Sequence, residues 1–187
     1  MKKIIVIAAF ILIAAAARTQ PKLPPLDQSP MDMSYFPVDY PVLRIQDKAK
    51  DPLISRIIYG RPQKNGRIIF GDLVPYGSVW RLGANEATEI EFFKDVKIGG
   101  KKITKGRYTL YALPEAEKWI IILNKETNIW GAFKYDQKKD VLRTDVPVQK
   151  QADTAEAFSM IFEKTNSGSA NLVISWETTF VKLPFSW

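Results

Sequence analysis

The stretch WRLGANEATEIEF, Trp80 to Phe92, sets Arg81, Asn85 and Glu86 among Gly83, Ala84 and Ala87, neighbours too small to fill the space beside them. Arg81 can pair with a carboxylate or a hydroxyl, Asn85 offers both an amide donor and an acceptor, and Glu86 can accept from hydroxyls. Trp80 and Tyr76 supply apolar walls. Arg61, in YGRP, and Tyr76, in VPYG, stand near turns, where they either rim the same recess or cover edges of the core. Such a set suits a small polar pocket. An Arg–Glu pair, an Asn in a bend and a packed Trp also occur in sheets that bind nothing, and both readings stand at this point.

The chain has no histidine and no cysteine. That excludes a Ser-His-Asp triad, His-ligated zinc, thiol catalysis and disulfides, so any reaction would fall to carboxylates, Lys, Tyr, Ser/Thr or an oxygen-ligated metal. Glu86 is the candidate general acid if there is catalysis, opposed by an acid from another strand such as Asp72 or Asp145. Glu89 and Glu91 lie two residues apart on one strand face, about 6.6 Å between Cβ atoms, and read as a solvated face rather than a catalytic pair. Asp136 and Asp140 lack the spacing of a calcium loop. No metal and no cofactor is called for. Trp130, Phe133 and Tyr135, in a polar connection containing Gly131, could form a sugar-stacking platform; a plug over an open end of the sandwich is the favoured reading.

The elements that must position these groups begin after a segment of another kind. Lys2 and Lys3 precede an apolar run from Ile4 to Ala17, with small residues before Thr19. The run falls short of the roughly 20 residues of a membrane span and fits a cleaved export signal over residues 1–20. The expected location is periplasmic or secreted, with no membrane span. Without Lys2, Lys3 and Arg18 the formal charge falls from +7 to +4, and the remaining lysines are scattered, which argues against a nucleic-acid partner.

Residues 21–52 read as an extended Pro-rich lead-in with an edge strand near Met31 to Phe36, and residues 53–187 as the main domain. There the signals are almost all β. KNGR (Lys64 to Arg67) carries the Asn-Gly of a type I′ hairpin turn, and VKIGGKKI is a second hairpin centred on Gly99-Gly100. GRYTLYALPEAEKWIIILN gives two longer strands, with Tyr108, Leu110 and Ala112 on one face of the first and Trp119, Ile121 and Leu123 on one face of the second. VLRTDVPV, AFSMIFEK, NLVISW and TTFVKLP follow, and Ala152 to Ala157 is the best candidate for a short helical turn. About ten short strands predict an all-β fold, a mostly antiparallel, jelly-roll-like β-sandwich.

Phase then becomes an argument about Glu86. Thr88, Ile90 and Phe92 point to the core, and the same parity run backward places Glu86, Ala84, Leu82 and Trp80 inward, with Arg81 and Asn85 outward. An inward carboxylate is costly unless paired. Either a bulge at Gly83-Ala84-Asn85 shifts the register, or Glu86 lines a recess faced by Arg81, Arg61 or Arg107.

YGRP (Tyr59 to Pro62), VPYG-VWR-GANEAT (Val74 to Thr88) and G-YTLYA-P (Gly106 to Pro114) resemble the domain of unknown function 2911 family, exported proteins largely of Bacteroidetes-type bacteria. The likeness runs from about Ile54 to Pro184. It implies a β-sandwich and an exported location, and brings no activity and no catalytic residue.

The leading expectation is a non-enzymatic exported protein that binds a small polar or carbohydrate-like ligand at Arg81, Asn85, Glu86, Trp80, Tyr76 and Arg61. The alternatives are a carboxylate-based glycan hydrolase working through Glu86, and an envelope protein-interaction module without a small ligand. The oligomeric state is left open.

Overall fold

A computed structural model describes residues 21–187, and the expected signal over residues 1–20 lies outside the described residues. The elements are β1 (Met31–Phe36), α1 (Tyr40–Ile45), β2 (Ser55–Gly60), β3 (Glu89–Phe92), β4 (Val96–Ile98), β5 (Lys101–Ile103), β6 (Gly106–Pro114), β7 (Lys118–Asn124), β8 (Asp140–Pro147), β9 (Gln149–Asn166) and β10 (Ser169–Ser186). They form two sheets, ordered β1-β2-β3-β6-β7-β8 and β5-β4-β10-β9, with every strand pair antiparallel.

Alternation builds these strands. In β2, Ser55, Ile57 and Tyr59 are buried while Arg56 and Ile58 are half-buried. The opposite face of the ladder is charged in register: Arg56 pairs with Glu91 on β3, and Glu91 with Arg107 on β6. Arg56 bonds Glu91 at 2.5 Å and Arg107 approaches Glu89 at 3.3 Å. Cross-strand arginines thus pair with both glutamates, which are half-buried rather than on the solvated face expected.

The inner faces meet in one aromatic core. At one end Trp80, Trp119, Trp176, Phe70 and Phe158 pack together, with Trp80 to Phe158 at 5.2 Å and Phe70 to Trp119 at 5.0 Å between ring centroids. At the other end Phe36, Phe162, Phe185 and Trp187 do the same. With no cysteine in the chain, this packing holds the sheets together without cross-links.

Four local expectations change. Ala152 to Ala157 is no helical turn; it lies within β9, a strand of 18 residues. The described α-helix is instead α1, inside the segment expected to be extended, where Pro41 occupies the first turn and no residue is buried. NLVISW and TTFVKLP form one 18-residue strand, β10, kinked where Glu177 takes φ 56° and the register with β9 shifts. KNGR does make its tight turn, with Asn65 and Gly66 both at positive φ and Arg67 N bonded to Lys64 O at 3.1 Å. Its flanks form no ladder with each other; Lys64 N bonds to Glu156 O at 2.7 Å on β9 instead.

Candidate functional site

The parity argument meets its answer between Trp80 and Thr88. Trp80 exchanges both backbone hydrogen bonds with Ala112 of β6 at 2.7 and 3.0 Å, and Thr88 O accepts from Leu110 N at 2.8 Å. Both residues therefore lie along β6 on the line of β3, and residues 81–87 are an excursion from that line. Thr88 closes the neck, its N–H on Arg81 O at 3.1 Å and its hydroxyl on Leu82 O. Leu82 (φ 54°), Gly83 (φ 143°) and Asn85 (φ 60°) turn the chain through the loop.

Strand phase is preserved at both ends and lost between them. Trp80, Leu82 and Thr88 are buried as expected, while Glu86 is exposed. The bend at Gly83-Ala84-Asn85 is the alternative that holds, and an inward Glu86 is not.

The excursion is docked by a close backbone approach. A Cβ added at Gly60 would lie 2.2 Å from Ala84 O, and one at Gly83 would lie 2.5 Å from Gly60 O. Only glycine permits this contact at the end of β2. The tip is bonded to the connection after β7: Ala87 N to Ile129 O at 2.8 Å, Gly131 N to Asn85 O at 2.9 Å, with Glu86 and Trp130 paired across an isolated bridge.

This geometry divides the expected site. Arg81 and Trp80 line a pocket of about 300 Å³ together with Arg67, Trp176, Leu73, Val74, Pro62, Ser29, Gly83 and Ala84. Glu86 rims a separate recess of about 130 Å³ with Glu89, Asn128 and Ile129. There Glu89 is already engaged by Arg107 and by Asn128 N. Neither Asp72 nor Asp145 lines that recess, and Asp145 is paired with Lys118 at 2.8 Å. Asn85 donates to Asp27 at 3.0 Å. Arg61 is held by Asp32 at 2.9 Å and Ser159 at 3.1 Å. Tyr76 is half-exposed and leans on Gly71. None of the last three lines the Arg81 pocket.

Arg81 has no ion pair and no side-chain hydrogen bond among the described residues, and its Nε is sealed from solvent without a partner. Partial dehydration lowers its pKa from the ordinary arginine value. Three larger depressions all mix charges: Lys118 with Glu115, Glu117 and Asp145; Lys94 and Lys164 with Asp51; Lys182 with Glu163. The Arg81 pocket carries two cations and no acid.

Arg67 and Trp176 escaped sequence reasoning. Arg67 is the last residue of KNGR, a motif that signals a turn and carries no signal of where the arginine after it is placed. Trp176 enters from β10, and nothing local ties it to Arg81.

Elsewhere, Tyr135 packs edge-on against Tyr111 at 5.2 Å and donates to Asp140 at 2.6 Å, while Arg143 bonds both Asp140 and Tyr135. The connection after β7 is pinned by this network. Trp130 and Phe133 are 59% and 84% exposed, and Tyr135 packs with Tyr111 and Ile122 in a small cluster separate from the core between the sheets, so none of the three packs against that core as a plug would. Among the described residues no three acids gather as a metal site would need, and no helix is long and apolar enough to cross a membrane.

The family model described as protein of unknown function (DUF2911) matches residues 44–185. The chain belongs to that family. No curated protein and no solved structure matches it. The match spans β2 to β10, so the excursion and both arginines of the pocket lie within the DUF2911 region, whereas Ser29 precedes it.

Proposed function

We propose that this DUF2911 protein is an exported binding protein for a small polar or carbohydrate-like ligand, anchored by Arg81 rather than by Glu86. One observation carries the reading: a half-buried guanidinium without a partner, in a pocket whose lining holds a second arginine and no acid. A buried cation is ordinarily paired or hydrogen-bonded. A ligand with an acceptor group would bond the terminal nitrogens of Arg81, which no protein group engages among the described residues, and Trp80, Trp176, Leu73 and Val74 would cover its apolar part. Export is supported by Lys2-Lys3 followed by the apolar run to Ala17.

Thermal denaturation across sugars, sugar acids and small organic acids tests the binding reading. A ligand of the native state raises Tm in a saturable way, and Arg81→Gln should abolish that rise. If no compound raises Tm, or if the variant responds as the wild type does, the proposal is wrong.

A further inference from the structure

From the donors in the pocket we infer the class of ligand: a compact monocarboxylate. The inference rests on the Arg81 reading above and narrows it. The two arginines are unequal. Arg67 already commits Nε to Lys64 O at 2.9 Å and Nη2 to Gln63 O at 2.5 Å, and it is exposed. Of the two, Arg81 brings a guanidinium with no hydrogen bond or ion pair to the protein among the described residues, its Nε buried without an acceptor.

A phosphate monoester carries a charge of about −1.5 to −2 at neutral pH and offers three strong acceptor oxygens. Taken into a partly dehydrated pocket it would need several committed donors, typically more than one cation. A carboxylate carries one charge in one plane, and a single guanidinium matches it through two parallel N–H···O bonds. With Nε sealed, the terminal nitrogens of Arg81 are the edge that would meet it.

Size and walls narrow the rest of the molecule. A volume of about 300 Å³ stands at the small end of ligand pockets, so the body beyond the carboxylate is short. Trp80, Trp176, Leu73 and Val74 give it an apolar side. Ser29 and the remaining terminal nitrogen of Arg67 give it a polar one, suited to hydroxyl groups. Hydroxy acids and single uronic acids have this make-up; oligosaccharides exceed the space.

The test is titration followed by tryptophan fluorescence and calorimetry, since Trp80 and Trp176 line the pocket. The panel is lactate, mandelate, benzoate, glucuronate and galacturonate, the amides of the same acids, glucose, and glucose 6-phosphate, all at matched ionic strength. At least one carboxylate should bind saturably, and its amide and the phosphate ester should bind at least about tenfold more weakly. Arg81→Lys, which keeps the charge and loses the planar fork, should lower affinity by at least about tenfold. Glu86→Ala, outside the pocket, should leave it unchanged.

Preference for the phosphate ester, or equal affinity for acid and amide, each abolished by Arg81→Gln, would overturn the carboxylate class and leave the pocket reading standing. Loss of affinity in Glu86→Ala with none in Arg81→Gln, or no saturable binding by any compound, would overturn both.

Discussion

Replacing Arg81 by methionine should stabilise the unliganded protein. In the native state Arg81 Nε is buried without an acceptor, whereas in the unfolded chain water satisfies it. An unsatisfied buried donor costs about 1–3 kcal/mol. Because Arg81 is only half-buried, the charge itself keeps much of its hydration, and the lower end of that range applies. Methionine keeps an unbranched stem of similar reach against Trp80 and Trp176, so little packing is lost. The expected gain is about 1 kcal/mol. For a domain of this size that amounts to a rise of about 0.5 M in the urea midpoint, with m near 2 kcal/mol/M, or about 2–4 °C in Tm. Equilibrium urea unfolding followed by tryptophan fluorescence measures it. Arg81→Lys is the control, because it leaves a cation in the same surroundings and should bring no comparable gain. A fall of 0.5 M or more in Arg81→Met would refute the reasoning: Arg81 would then be structural, and the pocket would lose its strongest argument.

Gly60→Ala should destabilise by about 1–3 kcal/mol or more, because its Cβ would meet a backbone oxygen that cannot move aside without shifting the excursion; urea unfolding reads this directly. Glu86→Ala should change stability by less than about 0.5 kcal/mol by the same assay, since the side chain is exposed and unpaired among the described residues. Tyr111 is held protonated by burial and by the nearby charge of Glu126, its pKa pushed up to about 12 from 10.0. The unfolded chain loses this proton near pH 10 and the folded one near 12, so the contribution is complete below pH 10 and is lost as pH rises between the two. Stability of Tyr111→Phe should therefore fall less over that interval than wild type, and the tyrosinate absorbance titration of the variant should lack the latest step.

Most of the fold was legible because most of it follows from alternation. Phe158, Met160 and Phe162 read as one buried face of a strand, and so they are. Gly99-Gly100 joined β4 to β5 because two consecutive positive φ values leave few other residues possible. The misreadings came where local chemistry was right and its partner was remote. Ala152 to Ala157 has helix-forming residues, but its backbone is taken up by β10, and Ala157 also bridges to Gln63. The KNGR turn formed and its expected hairpin did not, since the edge of β9 competes for the same backbone groups. Glu86 is the sharpest instance. Parity assumes an unbroken strand, and the break is stabilised by Gly60, more than twenty positions earlier in the chain.

Arg81 is informative because none of the acids next to the pocket-lining residues enters the lining. Asp27 accepts from Asn85 and from Ser29 N. Asp32 holds Arg61. Glu156 accepts from Asn65 N, and Glu177, adjacent to Trp176, faces Lys64 at 3.7 Å. Asp72, adjacent to Leu73, is exposed and lines no part of the pocket. Of the four acids within two positions of a lining residue, Asp27 and Glu177 thus have other partners, and Asp72 and Glu86 are exposed and line no part of the pocket. A change at Leu73 or Ser29 to an acid would place a counter-charge in the pocket lining itself, at positions where the fold already brings a side chain. A partly dehydrated cation left alone under those circumstances is the feature a neutral structural role explains least, and a bound anion explains most directly.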